Sequence, residues 1–167
     1  RWLGHDPATG AQLWFHAFRN DPGVNVAQPI VMEDGRIFLS MSYGVGCRMI
    51  QVSRGDGDWQ EPATLWENLN MRCKFTSPVE HDGFLYGLDE GILVCLDPLT
   101  GERRWKGGRE GTRGRFRHGQ LLLTNGRILG LTEQGDLVLV DATPETYREL
   151  AHLSVLDADK VWNPHIL

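Results

Sequence analysis

The sequence predicts an all-β chain, a β-propeller segment of four-stranded antiparallel blades, and three observations carry that prediction. Short apolar runs alternate with turn residues along the whole length, the pattern of strands of four to six residues rather than of helices. The same tight turn recurs, with Gly35, Gly83 and Gly126 spaced 48 and 43 residues apart, each behind an Asp or Asn. Three tryptophans, Trp14, Trp66 and Trp105, are spaced 52 and 39 apart. A period in the forties holding four short strands is the signature of a propeller blade. A β-sandwich also has many short strands, but nothing in it demands one turn and one anchor at a fixed interval.

Residues 1–18 read as the outer end of a blade, with Asp6-Pro7-Ala8-Thr9-Gly10 as the turn and Trp14 as the anchor. A full blade over 26–67 follows: strands at Gln28 to Met32, Ile37 to Met41 and Arg48 to Val52, then Ser53 to Asp58 in the turn slot and Leu65-Trp66 as anchor. The blade over 74–106 is the clearest. Phe75 to Val79 leads to the turn His81-Asp82-Gly83, Phe84 to Leu88 to the turn Asp89-Glu90-Gly91, and Ile92 to Leu96 alternates as a strand buried on both faces. Asp97-Pro98-Leu99-Thr100-Gly101 then combines local hydrogen-bonding side chains, a preset φ and a glycine, so it turns the chain into a charged outer strand anchored by Trp105. In the blade over 118–154, Asn125-Gly126 is a two-residue hairpin signal, and Leu150 stands where the tryptophan is expected. Residues 161–167 begin the inner strand of a further blade. The chain opens on Arg1-Trp2 inside a recognisable unit, so it reads as a piece of a longer propeller whose remaining blades are its first partners.

Charge and composition narrow the function. Seventeen Lys and Arg against 22 Asp and Glu give a net charge of −5, which argues against a dedicated nucleic-acid binder. No apolar run approaches the length of a membrane span. Cys47, Cys73 and Cys95 are odd in number and never adjacent, so no disulfide framework follows, and Cys95 sits in an apolar strand as a core residue. The six histidines show no metal-ligand spacing, and no phosphate-binding or nucleophile motif occurs. Asp56-Gly57-Asp58 lacks the longer acidic run of a calcium loop and reads as a plain turn.

The element D-P-x-T-G-x-x-x-W, present at Asp6 to Trp14 and Asp97 to Trp105, resembles the tryptophan-docking repeat of quinoprotein, or PQQ-like, β-propellers. The resemblance implies that Asp6, Thr9, Gly10 and Trp14, with Asp97, Thr100, Gly101 and Trp105, are structural: the Asp and Thr brace the turn and the Trp packs on the neighbouring blade. It implies a bacterial, periplasmic or otherwise extracytoplasmic setting. The family divides into dehydrogenases that hold pyrroloquinoline quinone (PQQ) with calcium and a larger non-enzymatic branch, which includes the outer-membrane assembly lipoprotein. No vicinal Cys pair is present here, so the resemblance favours a binding or scaffolding module without catalytic residues, cofactor or metal; a fragment of a PQQ- and calcium-dependent alcohol or sugar dehydrogenase is the alternative.

One stretch points to binding. Gly107 to His118 carries Arg109, Arg113, Arg115 and Arg117 against Glu110, a charge of +3 in an acidic chain. By propeller topology it joins an outer strand to the next inner strand, on the face that also carries Tyr43 to Gly46, Asp89 to Gly91 and Glu133 to Gly135. Arg72 and Lys74 occupy the same place one blade earlier. Arg72, Lys74, Arg113, Arg115, Arg117 and His118 are therefore the candidate site, suited to an acidic protein partner or an anionic glycan. If the inner strand starts early, Arg113, Arg115 and Arg117 share one face and Phe116 takes the other.

Overall fold

A computed structural model describes residues 1–108, 114–157 and 160–161. Among them the chain is all-β, with three four-stranded antiparallel sheets preceded by a hairpin. The hairpin is β1 (Trp2–His5) and β2 (Gln12–His16). The first full sheet is β3 (Ile30–Val31), β4 (Arg36–Met41), β5 (Gly46–Gln51) and β8 (Ala63–Asn68), with a small hairpin, β6 (Arg54–Gly55) and β7 (Asp58–Trp59), between its last two strands. The second is β9 (Val79–His81), β10 (Phe84–Asp89), β11 (Ile92–Leu96) and β12 (Arg103–Lys106). The third is β13 (Gln120–Thr124), β14 (Arg127–Leu131), β15 (Asp136–Asp141) and β16 (Glu149–Ser154). Strands pair in chain order within each sheet, and no sheet pairs with another among the described residues. No helix there is long and apolar enough to cross a membrane.

Three expectations need correction. The inner strands are shorter than their apolar runs, because Pro29 and Pro78 have no N–H to give a ladder; β3 begins at Ile30 and β9 at Val79, each directly after its proline. The Ser53 to Asp58 stretch does not by itself join β5 to β8: Asp56-Gly57 is a tight turn, as expected, but it closes the separate β6–β7 hairpin, at whose base Gln60 N donates to Ser53 O (3.0 Å). The tryptophan position of the third sheet is Ala151, not Leu150. In every outer pairing the register slips once, after Gly4, Met49, Cys95 and Leu139, and the residue opposite each of these is Trp14, Trp66, Trp105 and Ala151 respectively. Leu150 is the extra residue of the bulge.

Alternation of side chains across each sheet builds the core between sheets. Ile37, Leu39, Met41 and Ile50 face back toward Trp2 and Trp14 of the first hairpin, while Phe38 and Met49 face forward, onto Leu85, Val94 and Leu96. From the second sheet, Tyr86, Leu88, Leu93, Cys95 and Trp105 continue forward onto Phe116, Ile128, Val138 and Val140. The first and second full sheets are thus each one half of two cores, and their middle strands must be apolar on both faces.

The outer-strand tryptophans fasten this stack. Trp66 Nε1 donates to Pro98 O (2.9 Å) and Trp105 Nε1 to Thr143 O (2.7 Å), in each case a carbonyl in the turn that precedes the next sheet's outer strand. That turn is held open for docking by its own side chains. Leu99 N donates to Asp97 Oδ1 (2.9 Å) and Glu102 N to Thr100 Oγ1 (3.2 Å), and the pattern repeats at Ala8 N to Asp6 Oδ1 (2.8 Å) and Ala11 N to Thr9 Oγ1 (3.3 Å). Gly101 has φ +73°, and a Cβ there would stand 2.6 Å from the Trp66 ring, so the turn requires both the left-handed backbone and the missing side chain.

Candidate functional site

The connections that leave an outer strand and the turns that join the two middle strands come together on one face. Ser42 Oγ donates to Glu90 Oε1 (2.7 Å) across two sheets, and Glu90 N donates to Arg72 O (3.3 Å). One sheet further, Phe116 N and Arg117 N both donate to Gly91 O (2.7 and 3.0 Å), and Glu133 N donates to Phe116 O (3.1 Å). Gly91 has φ +85°, and a Cβ on it would lie 2.6 Å from Arg117 Cα, so this connection lies directly on the turn beneath. Buried Phe116 is its root in the core.

The sequence-predicted residues divide on this face. Lys74 Nζ stands 5.2 Å from the Tyr43 ring and 5.4 Å from Phe75, and Phe75 meets His118 edge-on at 5.1 Å, so Lys74 and His118 belong to one cation–aromatic patch. Arg115 and Arg117 are exposed, and neither guanidinium has an ionic partner among the described residues. Arg113 lies outside the described residues. Arg115 and Arg117 are exposed with Phe116 buried between them, but not through an early strand: β13 starts only at Gln120, and Arg117 has φ 53°. Arg115 makes only an isolated bridge with Ile92.

Arg72 turns away from this patch, into the cleft between the first and second full sheets. There its Nε bonds Asp89 Oδ1 at 2.7 Å, while Lys106 Nζ and Arg103 Nη2 approach Asp89 Oδ2 at 2.5 and 3.5 Å. Asp89 is fully buried, but the Arg72, Arg103 and Lys106 side chains keep 31%, 30% and 26% exposure. Burial alone would push the Asp89 carboxyl up; the hydrogen bonds from Arg72 and Lys106, and their charges, overcome it and hold it below the ordinary carboxylate value. The same bond to Asp89 raises Arg72.

Asp89, Arg103 and Lys106 were not legible as a site. In plain alternation, positions 103 and 106 lie on opposite faces of a strand; the bulge opposite Cys95 and Leu96 puts both side chains on one carboxylate. No signal in the sequence marks that slip, because it is a relation between two paired strands.

A groove of about 520 Å³ opens between the first hairpin and the next sheet, lined by Phe18, Arg19, Val45, Arg48, Glu67 and Leu69 among others. At its edge Arg48 bridges His16 Nε2 (2.9 Å) and Glu67 Oε2 (2.5 Å). Burial, then the Arg48 charge, push His16 down, so its ring is neutral and accepts from the guanidinium.

The described residues do not assemble a calcium site from acidic, His or Cys side chains: no three of these come together to hold a metal ion. The most buried carboxylate, Asp89, faces three cations, a setting that repels a divalent ion rather than binding it.

Successive four-stranded sheets, the first two each fastened to the next by an outer-strand tryptophan, define a segment of a PQQ-like β-propeller. Residues 3–164 match the family model described as outer membrane protein assembly factor BamB, and the chain belongs to that family. Its fold is similar to the crystal structure of BamB from Moraxella catarrhalis, with a TM-score of 0.59 at 17% identity, over 90% of this chain and 45% of that one. The chain therefore spans less than half the length of that solved protein. A europium-containing methanol dehydrogenase aligns with a TM-score of 0.47 at 12% identity, over 71% of this chain and 23% of its own, too slight a likeness to argue from. No curated protein sequence matches.

Proposed function

We propose that this chain is a non-catalytic scaffolding segment of an extracytoplasmic propeller, and that its connection face binds an acidic surface of a protein partner. The observation that carries the reading is the pair of exposed guanidiniums, Arg115 and Arg117, without an ionic partner among the described residues, beside the Tyr43–Lys74–Phe75–His118 patch. Membership of a family described as an assembly factor supports a role in holding proteins together. Arg113 extends the same basic connection in sequence. Exposed cations contribute little to folding, about 0–1 kcal/mol per pair, so retaining several on one connection in an acidic chain is not required for stability.

The test is site-specific photo-crosslinking of the protein in its native cells. Probes at positions 115 and 117 should give a discrete protein adduct, weakened by Lys74→Ala. A probe at Leu99, on a turn at the opposite end of the strands, should give none. Equal labelling from all three positions, or none from 115 and 117, removes the binding face. PQQ- and calcium-dependent dye reduction by the protein would replace the scaffold reading with the dehydrogenase one.

A further inference from the structure

Among the described residues, the ion cluster in the cleft between the first and second full sheets has more cation than carboxylate. Arg72, Arg103 and Lys106 bring three positive charges to Asp89. Glu90, held by Ser42 Oγ, is the next acid close enough to act on Arg72, and counting it still leaves one positive charge in excess among the described residues.

The hydrogen-bonding capacity is likewise unfilled. Arg72 commits only Nε to Asp89. Arg103 commits one terminal nitrogen, shared between Asn70 O (3.0 Å) and Asp89 Oδ2 (3.5 Å), and Lys106 makes a single bond. The remaining donors of all three have no partner among the described residues, although each side chain is more than two-thirds withdrawn from water. A group in that position gains more from an arriving anion than a solvated surface cation does, because it is less screened and already partly desolvated.

Asp89 also pre-organises the trio. It draws Arg72 from a connection and Arg103 and Lys106 from an outer strand to a common point, so the side chains need not be ordered again when a ligand arrives.

We propose that this cleft is a receptor for one carboxylate side chain, an Asp or Glu of the partner, which enters opposite Asp89 and takes the free donors of Arg72, Arg103 and Lys106. A monoanion matches the single excess charge, and a planar carboxylate matches a guanidinium edge, where a doubly charged phosphate overcompensates the site. The inference deepens the partner reading above and rests on it: Arg115, Arg117 and the aromatic patch supply the broad basic face, and the cleft supplies the specific point of insertion.

The experiment titrates the protein with a hexaglutamate peptide, and with hexaglutamine as the neutral control, following affinity by calorimetry and the arginine side-chain Nε–H resonances by NMR. Hexaglutamate should bind and move the Arg72 and Arg103 resonances. Lys106→Met and Arg103→Met should each weaken binding about tenfold, a change of about 1.4 kcal/mol. Lys106→Arg should restore it, which separates charge recognition from loosened packing. Loss of binding in Arg115→Ala/Arg117→Ala alone, with Lys106→Met unaffected, would refute the cleft and leave the face reading standing. No binding of hexaglutamate by the unmodified protein would overturn both.

Discussion

Replacing Trp105 with alanine tests whether the sheets are held together by docking rather than by strand pairing alone. The indole is 8% exposed, packs against Tyr86 and Tyr147 at centroid distances of 6.0 and 5.8 Å, and donates to Thr143 O. Truncating a buried tryptophan costs about 3–5 kcal/mol. The two aromatic contacts and the carbonyl left unpaired place Trp105→Ala at the upper end, about 5 kcal/mol. Trp105→Phe keeps most of the apolar contact but leaves Thr143 O without its donor, so it should cost about 1–3 kcal/mol. Urea unfolding, with the slope held as a check on the two-state assumption, measures both. A loss under about 1 kcal/mol for Trp105→Ala, or none for Trp105→Phe, would show that adjacent sheets do not depend on this anchor.

Two further predictions concern titrating groups. The folded-state pKa of Asp89 is lowered, so its contribution to stability is present above the ordinary carboxylate value of about 3.9 and is lost as pH falls through the folded value. Asp89→Asn should lose about 3–5 kcal/mol at neutral pH, the range for leaving buried charge uncompensated, and should lose less on acidification than the unmodified protein. Parallel acid-melting curves would contradict this. Burial raises the thiols of Cys47, Cys73 and Cys95 to about 12, 11 and 12. All three should resist a disulfide reagent at pH 8 in the folded state and titrate on unfolding in urea, because the thiolate is the reacting form. Fast modification of any one in the folded state would place it outside the core described here.

The sequence by itself determined the architecture of this protein. Short alternating strands, Asp-Gly and Asn-Gly turns and the D-P-x-T-G-x-x-x-W element are local signals, because a turn or a strand is set by residues only a few positions apart, and repetition at a fixed interval turns them into sheets of one kind. It also pointed to the face that carries Lys74, Arg115, Arg117 and His118, since connectivity alone places alternate turns and connections at one end of a sheet. Only the tertiary structure decided what the charges on that face do. Arg72 looks like Lys74 in sequence, yet it is drawn into a cleft by Asp89, a residue 17 positions away that reads as an ordinary turn. Arg103 and Lys106 join it through a one-residue slip in pairing, and the same slip gives Ala151, not Leu150, the place of a tryptophan. A bulge leaves no composition or period to read, because it is a relation between two strands, and it reverses which side chains share a face.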